Sequence, residues 1–325
     1  MRASLSGLLL LSAAAFALGL GSCGSSGSEG GDPSAEPSSD LIRPDPAAKG
    51  KAITIGSKNF TESVVIAQIY GQAMKRAGYS VRFDPNLGLE QATTEAMQEG
   101  VIDGYPEYTG TALTTLLGVD PEDVPKDETA AYLETRKRYA EQYDFVAYPQ
   151  TPFTNANAVG MTSERAKELG DPKSISDIAR THNGRLTLAA SAECFKRTDC
   201  AVGLERVYGL RFKDKIPIDL ALRHEVILQK KADLTIPFTT DGQIAANEEV
   251  VLEDDKDLFP PYNVTLVLTR QKAQELGPSA EKLITKVQEG LTTPVMRELN
   301  SRADLDKQSP EQVAADYLQA EGLVK

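Results

Sequence analysis

Between Ala52 and Leu117 the chain passes three times from a short apolar run to helical spacing, and this alternation constrains the fold more than any other feature. Ala52-Ile53-Thr54-Ile55-Gly56 alternates as a strand does, and residues 64–77 carry apolar side chains at helical spacing before a stop at Gly78, with Thr61 as N-cap. Val81-Arg82-Phe83 predicts a second strand and residues 90–99 a second helix. The third unit is Gly100-Val101-Ile102-Asp103-Gly104-Tyr105-Pro106-Glu107-Tyr108-Thr109-Gly110-Thr111. Its apolar run Val101-Ile102 ends in Asp103-Gly104, and residues 112–117 have a helical composition. Units of this length imply an α/β fold with a parallel sheet and crossover helices. The edge where strands give way to helices is where such sheets hold ligands. Thr109 or Thr111 can cap the third helix, whose free N–H groups favour anions. Tyr105 and Tyr108 bring ring faces that attract cations. The plainer reading is a connecting loop with two half-buried tyrosines, Tyr105 serving packing.

The pattern continues with strands at 145–148, 186–190, 232–238 and 264–268, and with helices at 128–143, 176–180, 201–208 and 219–228. Three helices at 279–291, 293–300 and 310–322 close the chain. This predicts two α/β lobes, lobe 1 from 52–153 and 262–325 and lobe 2 from 154–261, with crossings near 153–159 and 262–266. A cleft between lobes is the default place for a small molecule. No internal repeat and no Gly-rich phosphate loop is visible in the sequence.

The N-terminus reads as an export signal. Arg2 supplies the positive charge, and residues 8–20 form an apolar stretch of signal-peptide length, short for a membrane span. Leu20-Gly21-Ser22-Cys23 resembles the bacterial lipobox, which makes 1–22 a signal peptide and Cys23 a lipidated N-terminus. Residues 23–51 are rich in Gly, Ser, Pro and charge, and are expected to form a flexible tether. The folded part would then sit on the outer face of the cytoplasmic membrane, attached only through lipid. Net charge is −12, and −13 once Arg2 leaves with the signal, which argues against nucleic acid and anionic lipid as partners. With Cys23 lipidated, Cys194 and Cys200 remain as a pair that could close a tight loop by a disulfide or stay as thiols. His182 and His224 have no convincing metal-ligand spacing around those cysteines, so neither metal nor cofactor is expected.

Four motifs stand in order: Ser57-Lys58-Asn59-Phe60-Thr61-Glu62; Tyr105-Pro106-Glu107-Tyr108-Thr109-Gly110-Thr111; Thr240-Asp241-Gly242; and Val251-Leu252-Glu253-Asp254-Asp255-Lys256 leading to Phe259-Pro260-Pro261-Tyr262-Asn263. Together they resemble the osmoprotectant-binding (glycine betaine/choline) substrate-binding proteins of ABC importers, over nearly everything from Ile53 to Gly322. The resemblance implies a type II periplasmic-binding-protein fold that closes around a small zwitterion or cation, acts as a monomer, and delivers its ligand to a permease driven by ATPase subunits. Such a ligand is held by an aromatic cage and basic side chains, because a trimethylammonium has no N–H to donate and a carboxylate needs a charged partner. On the matching positions, Lys58 and Asn59 lie in the first motif, Tyr108 is a cage ring with Thr111 a nearby hydroxyl, and Tyr262 is a second ring. Glu193 and Arg197 flank the Cys194 side of the cysteine loop, and a Cys194–Cys200 bridge would restrict the loop that presents Arg197. Arg197 also reads as part of a solvated charge run with Lys196 and Asp199.

Two departures bear on the ligand. Thr154-Asn155-Ala156-Asn157 places Asn157, beside Asn155, where relatives often carry a tyrosine, and Phe238 stands where they carry another. Phenylalanine keeps a π face; asparagine does not. A lost cation–π contact is worth roughly 0.5–2 kcal/mol, so a different ligand, such as a betaine of an aromatic amino acid or a phenolic compound, is the alternative. Asp241 reads as a cap for the following helix, and His224 as structural. An enzyme on the same scaffold would need an activated nucleophile or an acid/base pair, and no Ser/His/Asp spacing supplies one.

Overall fold

The computed structural model describes residues 41–325. The signal peptide, Cys23 and the tether up to residue 40 lie outside the described residues. Residues 41–51, read above as the end of the tether, are instead folded onto the body. Ile42 and Ala48 are buried, the Ile42 N–H donates to the Leu323 carbonyl at 2.8 Å, and the Asp45 N–H to the Ala77 carbonyl at 2.8 Å. One isoleucine in a polar stretch suffices, because Leu323 offers it an apolar seat.

The first sheet has the order β2-β1-β3-β10-β4, with β1 Ala52–Gly56, β2 Ser80–Asp84, β3 Gly104–Tyr108, β4 Phe145–Ala147 and β10 Val264–Thr269. β1 pairs in parallel with β2 and β3, but β10 runs antiparallel to both β3 and β4. The sheet is therefore mixed rather than wholly parallel, because β10 returns from the other lobe in the opposite sense. The third strand also differs from expectation. It is Gly104–Tyr108 itself, buried at every position, while Val101 is 42% exposed ahead of it.

Helix α1, Thr61–Ala77, follows β1 and buries Val65, Ile66, Ile69, Tyr70, Ala73 and Met74. That spacing of three and four residues forms one apolar face. The face meets the C-terminal helices Pro278–Gln288, Thr293–Asp304 and Pro310–Ala320. Truncating Ile66 to alanine there would cost about 2–5 kcal/mol. Gly78, at φ 105°, ends the helix in the left-handed conformation. Phe60, not Thr61, occupies the N-cap, and no side chain caps the helix. The Thr61 hydroxyl bonds Asp304 at 2.5 Å instead. Helix α2, Glu90–Gln98, connects β2 to β3.

The second sheet has the order β7-β6-β8-β5-β9, with β5 Val159–Thr162, β6 Thr187–Ala190, β7 Asp214–Pro217, β8 Leu234–Thr235 and β9 Glu249–Leu252. It repeats the logic of the first: β6 is parallel to β7 and β8, and β5 is antiparallel to β8 and β9. Each sheet with its helices is referred to as a lobe. The connecting segments lie side by side. Thr154 bridges Asn263, the Asn155 N–H donates to the Tyr262 carbonyl at 3.1 Å, and the Tyr262 N–H donates to the Thr154 hydroxyl at 2.8 Å.

Candidate ligand-binding site

The carboxyl ends of β1, β3, β6 and β8 face one hollow. Lys58 enters it from the turn after β1, Tyr108 from the last position of β3, and Tyr262 from the residue pair before β10. From the second lobe come Arg197, in the loop after β6, and Phe238, after β8. The sheet-end rule accounts for this convergence.

Rings form one side. Phe60 lies 5.6 Å from Tyr108 and 5.4 Å from Phe238 between centroids, both pairs tilted. Tyr262 reaches the same hollow by crossing Gly110 closely. A Cβ at Gly110 would fall 2.7 Å from Cδ1 of the Tyr262 ring and 2.7 Å from the Pro261 carbonyl oxygen. Glycine is therefore required where β3 gives way to α3, Thr109–Thr111. Neither threonine caps that turn; the Thr109 hydroxyl donates to the Pro261 carbonyl at 3.0 Å.

Both tyrosine hydroxyls are tied down by carboxylates. Tyr108 donates to Glu62 Oε1 at 3.0 Å, and Tyr262 to Asp199 Oδ2 at 2.6 Å. Burial pushes both phenols well above their ordinary range, and Glu62 and Asp199 push the same way. Glu62 also accepts from Asn155 at 2.7 Å, Thr240 at 2.5 Å and Asn300 at 2.8 Å. Burial raises its carboxyl, and these donors only partly reverse that. One side chain of α1 thus gathers a crossing segment, a turn of the second lobe and a C-terminal helix.

Charged side chains stand against these rings, and Lys58 Nζ lies 5.2 Å from the Tyr108 ring centroid. Lys58 Nζ pairs with Glu107 at 2.5 Å. Arg197 forks onto Asp199, Nε at 2.8 Å and Nη2 at 2.6 Å, and Nη1 crosses to Glu90 at 3.1 Å. Burial alone would raise the Asp199 carboxyl, but Arg197 more than offsets it and holds it below the usual range. Arg223 forks onto Asp241 at 2.8 and 2.5 Å and lies 4.9 Å from the Phe238 ring centroid.

Residues 51–320 match the family model described as the substrate-binding domain of ABC-type glycine betaine transport systems. The chain belongs to this family of ABC-importer substrate-binding proteins. It is 31% identical over 287 residues to the glycine-betaine-binding protein of Pseudomonas aeruginosa, covering 85% of this chain and 90% of that one. It is 26% identical over 280 residues to the ergothioneine transport permease/ergothioneine binding protein EgtU of Helicobacter pylori, covering 85% of this chain and 49% of that one. Among solved structures, a glycine betaine/carnitine/choline ABC transporter protein superposes with a TM-score of 0.65 at 27% identity, covering 82% of this chain and 98% of that one. The architecture is the type II periplasmic-binding-protein fold. Members of the family are extracytoplasmic solute-binding proteins rather than enzymes.

Of the residues that the resemblance assigns to a ligand, Lys58, Tyr108, Thr111, Asn155, Asn157, Arg197, Phe238 and Tyr262 converge on the one hollow. Asn59 and Glu193 do not. Asn59 is exposed and borders a separate depression beside Thr61 and Asn86, and the Glu193 side chain is exposed on the outside of the cysteine loop. Their sequence neighbours Lys58 and Cys194 are buried and line the hollow, while Asn59, after Lys58, and Glu193, before Cys194, are exposed. Cys194 and Cys200 form a disulfide whose loop contains Arg197. Arg197 is not part of a solvated charge run, since it is forked onto the fully buried Asp199. Asp241 is not a helix cap; it is the anchor of Arg223. Among the described residues, no acidic, histidine and cysteine group is arranged to hold a metal.

Sequence reasoning did not assign Phe60, Glu62, Glu90 or Arg223. Glu62 closes the Ser57–Glu62 motif at the first turn of an apolar helix, where a buried carboxylate needs a reason; that was its available signal.

Proposed function

We propose that this protein captures a quaternary-ammonium osmoprotectant of the glycine betaine/choline type, closes on it, and passes it to an ABC permease. In this reading Phe60, Tyr108, Phe238 and Tyr262 cage the methylated nitrogen. The observation that carries it is the gathering of Tyr108 and Tyr262, from segments far apart in sequence, onto one hollow with Phe60 and Phe238. Ring faces and apolar contact are what an ammonium without N–H can use. The buried carboxyl groups of Glu62 and Asp199 behind the two hydroxyls hold those rings in place. The name of the Pseudomonas aeruginosa relative supports the same ligand class. The reading includes export behind residues 1–22 and anchoring through lipid on Cys23.

Calorimetric titration with glycine betaine, choline, carnitine and proline betaine tests the ligand class. Saturable binding of at least one is expected; no saturation with any of them overturns it. Metabolic labelling with a fatty acid should mark the wild-type protein and not Cys23→Ala, and equal labelling of the two, or none of wild type, overturns the anchor.

A second reading is favoured by Asn157, whose amide lies 3.4 Å from the Tyr262 hydroxyl at a position where relatives often carry a tyrosine. A betaine bearing a heteroaromatic ring would use that amide, and one relative is named for ergothioneine binding. A thermal-shift comparison of ergothioneine with glycine betaine separates the two readings, because a bound ligand raises stability in proportion to ln(1 + [L]/Kd).

A further inference from the structure

Lys58 and Arg197, the cations assigned above to a ligand carboxylate, both face a carboxylate that the protein itself provides. Glu90, the first residue of α2, accepts from Arg197 Nη1 at 3.1 Å and stands 4.0 Å from Lys58 Nζ. It is buried, lines the hollow, and belongs to the opposite lobe from Arg197. Each cation also has an anion behind it: Glu107 for Lys58, Asp199 for Arg197, and Asp241 for Arg223. Around the hollow, three cationic side chains thus meet four carboxylates, and Glu62 lies beneath the rings. A ligand carboxylate brought to Arg197 would share the guanidinium with Glu90 at close range. Two like charges on one partner in a low-dielectric site repel strongly. A ligand hydroxyl would meet a ready acceptor instead.

We infer that Glu90 is a specificity-determining residue, which fits this hollow to a quaternary-ammonium monocation bearing a hydroxyl in preference to a betaine zwitterion. The inference rests on the quaternary-ammonium reading and adds to it the charge type of the ligand. Glu90 acts as the counter-carboxylate, so a zwitterion brings one negative charge too many.

The test is a comparison of Kd for choline and glycine betaine on the full mature protein and on Glu90→Gln, by calorimetry. Wild type is expected to bind choline about tenfold or more tightly than glycine betaine. Glu90→Gln should weaken choline, strengthen glycine betaine, and lower the ratio by about tenfold or more. A thermal melt confirms that the variant is folded, and Glu90→Ser supplies the same ratio should Glu90→Gln not fold. Equal or tighter binding of glycine betaine by wild type, or a ratio unchanged in the variants, overturns the role of Glu90 while leaving the quaternary-ammonium reading standing. Failure of wild type to bind either compound overturns the role of Glu90, and failure with carnitine and proline betaine as well overturns the quaternary-ammonium reading.

Discussion

The two walls of the hollow are held in place by different physics. On the first lobe, Tyr108 ends β3 and Tyr262 precedes β10, and these strands are paired from Tyr108–Val264 to Gly104–Leu268. Ladder hydrogen bonds fix such positions, so the rings inherit the rigidity of the sheet. On the second lobe, Arg197 sits in a disulfide loop and Arg223 between short helical turns, with no ladder beneath either. There each cation is fixed by an aspartate fork, Asp199 or Asp241. The placement of Tyr108 and Tyr262 belongs to the sheet, whereas that of Arg197 and Arg223 depends on individual side-chain pairs. The second wall should therefore fail by loss of one partner, and the first only by loss of the ring or of its seat.

The largest effect is expected where a fork is broken. Asp241→Ala leaves buried Arg223 without its bidentate partner and frees His224 Nε2, which lies 3.0 Å from Asp241. Removing one partner of a buried pair costs about 3–5 kcal/mol. Chemical denaturation should show that loss, and a midpoint within error of wild type would mean the fork is not a restraint. Next come the rings. Tyr262→Ala and Tyr108→Ala should each weaken quaternary-ammonium binding by about tenfold or more, from lost cation–π contact and lost apolar area. Titration of both variants checks this, and wild-type affinity in both removes the rings from the site.

Much of the first wall was legible because its motifs are local. Tyr105–Thr111 and Pro260–Asn263 each place their ring within one strand end or one turn, so sequence spacing already carried the geometry. The polar contacts around the buried carboxylates were not legible, since their partners are remote: Glu62 and Thr240 are 178 positions apart, Glu90 and Arg197 are 107. Periodicity tells which face is buried but not which remote group meets it. Asp241 looked like a cap because a helix follows, yet that helix, Gln243–Ala246, is a single turn, and Arg223 takes the carboxylate. The elements not anticipated, Ser163–Glu168, Asp214–Pro217 and Arg270–Leu276, are too short or too polar to show a period.

Gly110 sharpens the comparison by removing a seat while keeping every ring. Gly110→Ala places a Cβ 2.7 Å from Tyr262 Cδ1, so the ring or the Pro261 backbone must shift. Overpacking of this kind costs about 1–3 kcal/mol. Affinity should fall several-fold while Tyr108→Ala added to it brings little further loss, because the cage is already displaced. Independent, additive losses in the double variant would mean that Tyr262 does not work together with Tyr108.

The smallest effect is a pH dependence confined to the second wall. The His224 ring lies between Asp241 Oδ2 at 3.0 Å and Glu249 at 2.9 Å, both acceptors, with Arg223 also nearby. Burial alone would lower its pKa, but Asp241 and Glu249 overcome that and hold it above the ordinary 6.5. Asp241 moves the other way: burial would raise it, and Arg223 and His224 bring it from 3.8 to about 2. A raised imidazole contributes stability that is complete below pH 6.5 and lost as pH rises through its folded-state value. A lowered carboxyl contributes stability that is present above pH 3.8 and lost as pH falls through about 2. The cluster should therefore support the fold most between those limits. His224→Gln should flatten the decline above pH 6.5 and leave a decline on the acid side, read as melting temperature against pH. Parallel curves for variant and wild type would mean that His224 stays neutral, leaving Arg223 as the only cation that Asp241 holds.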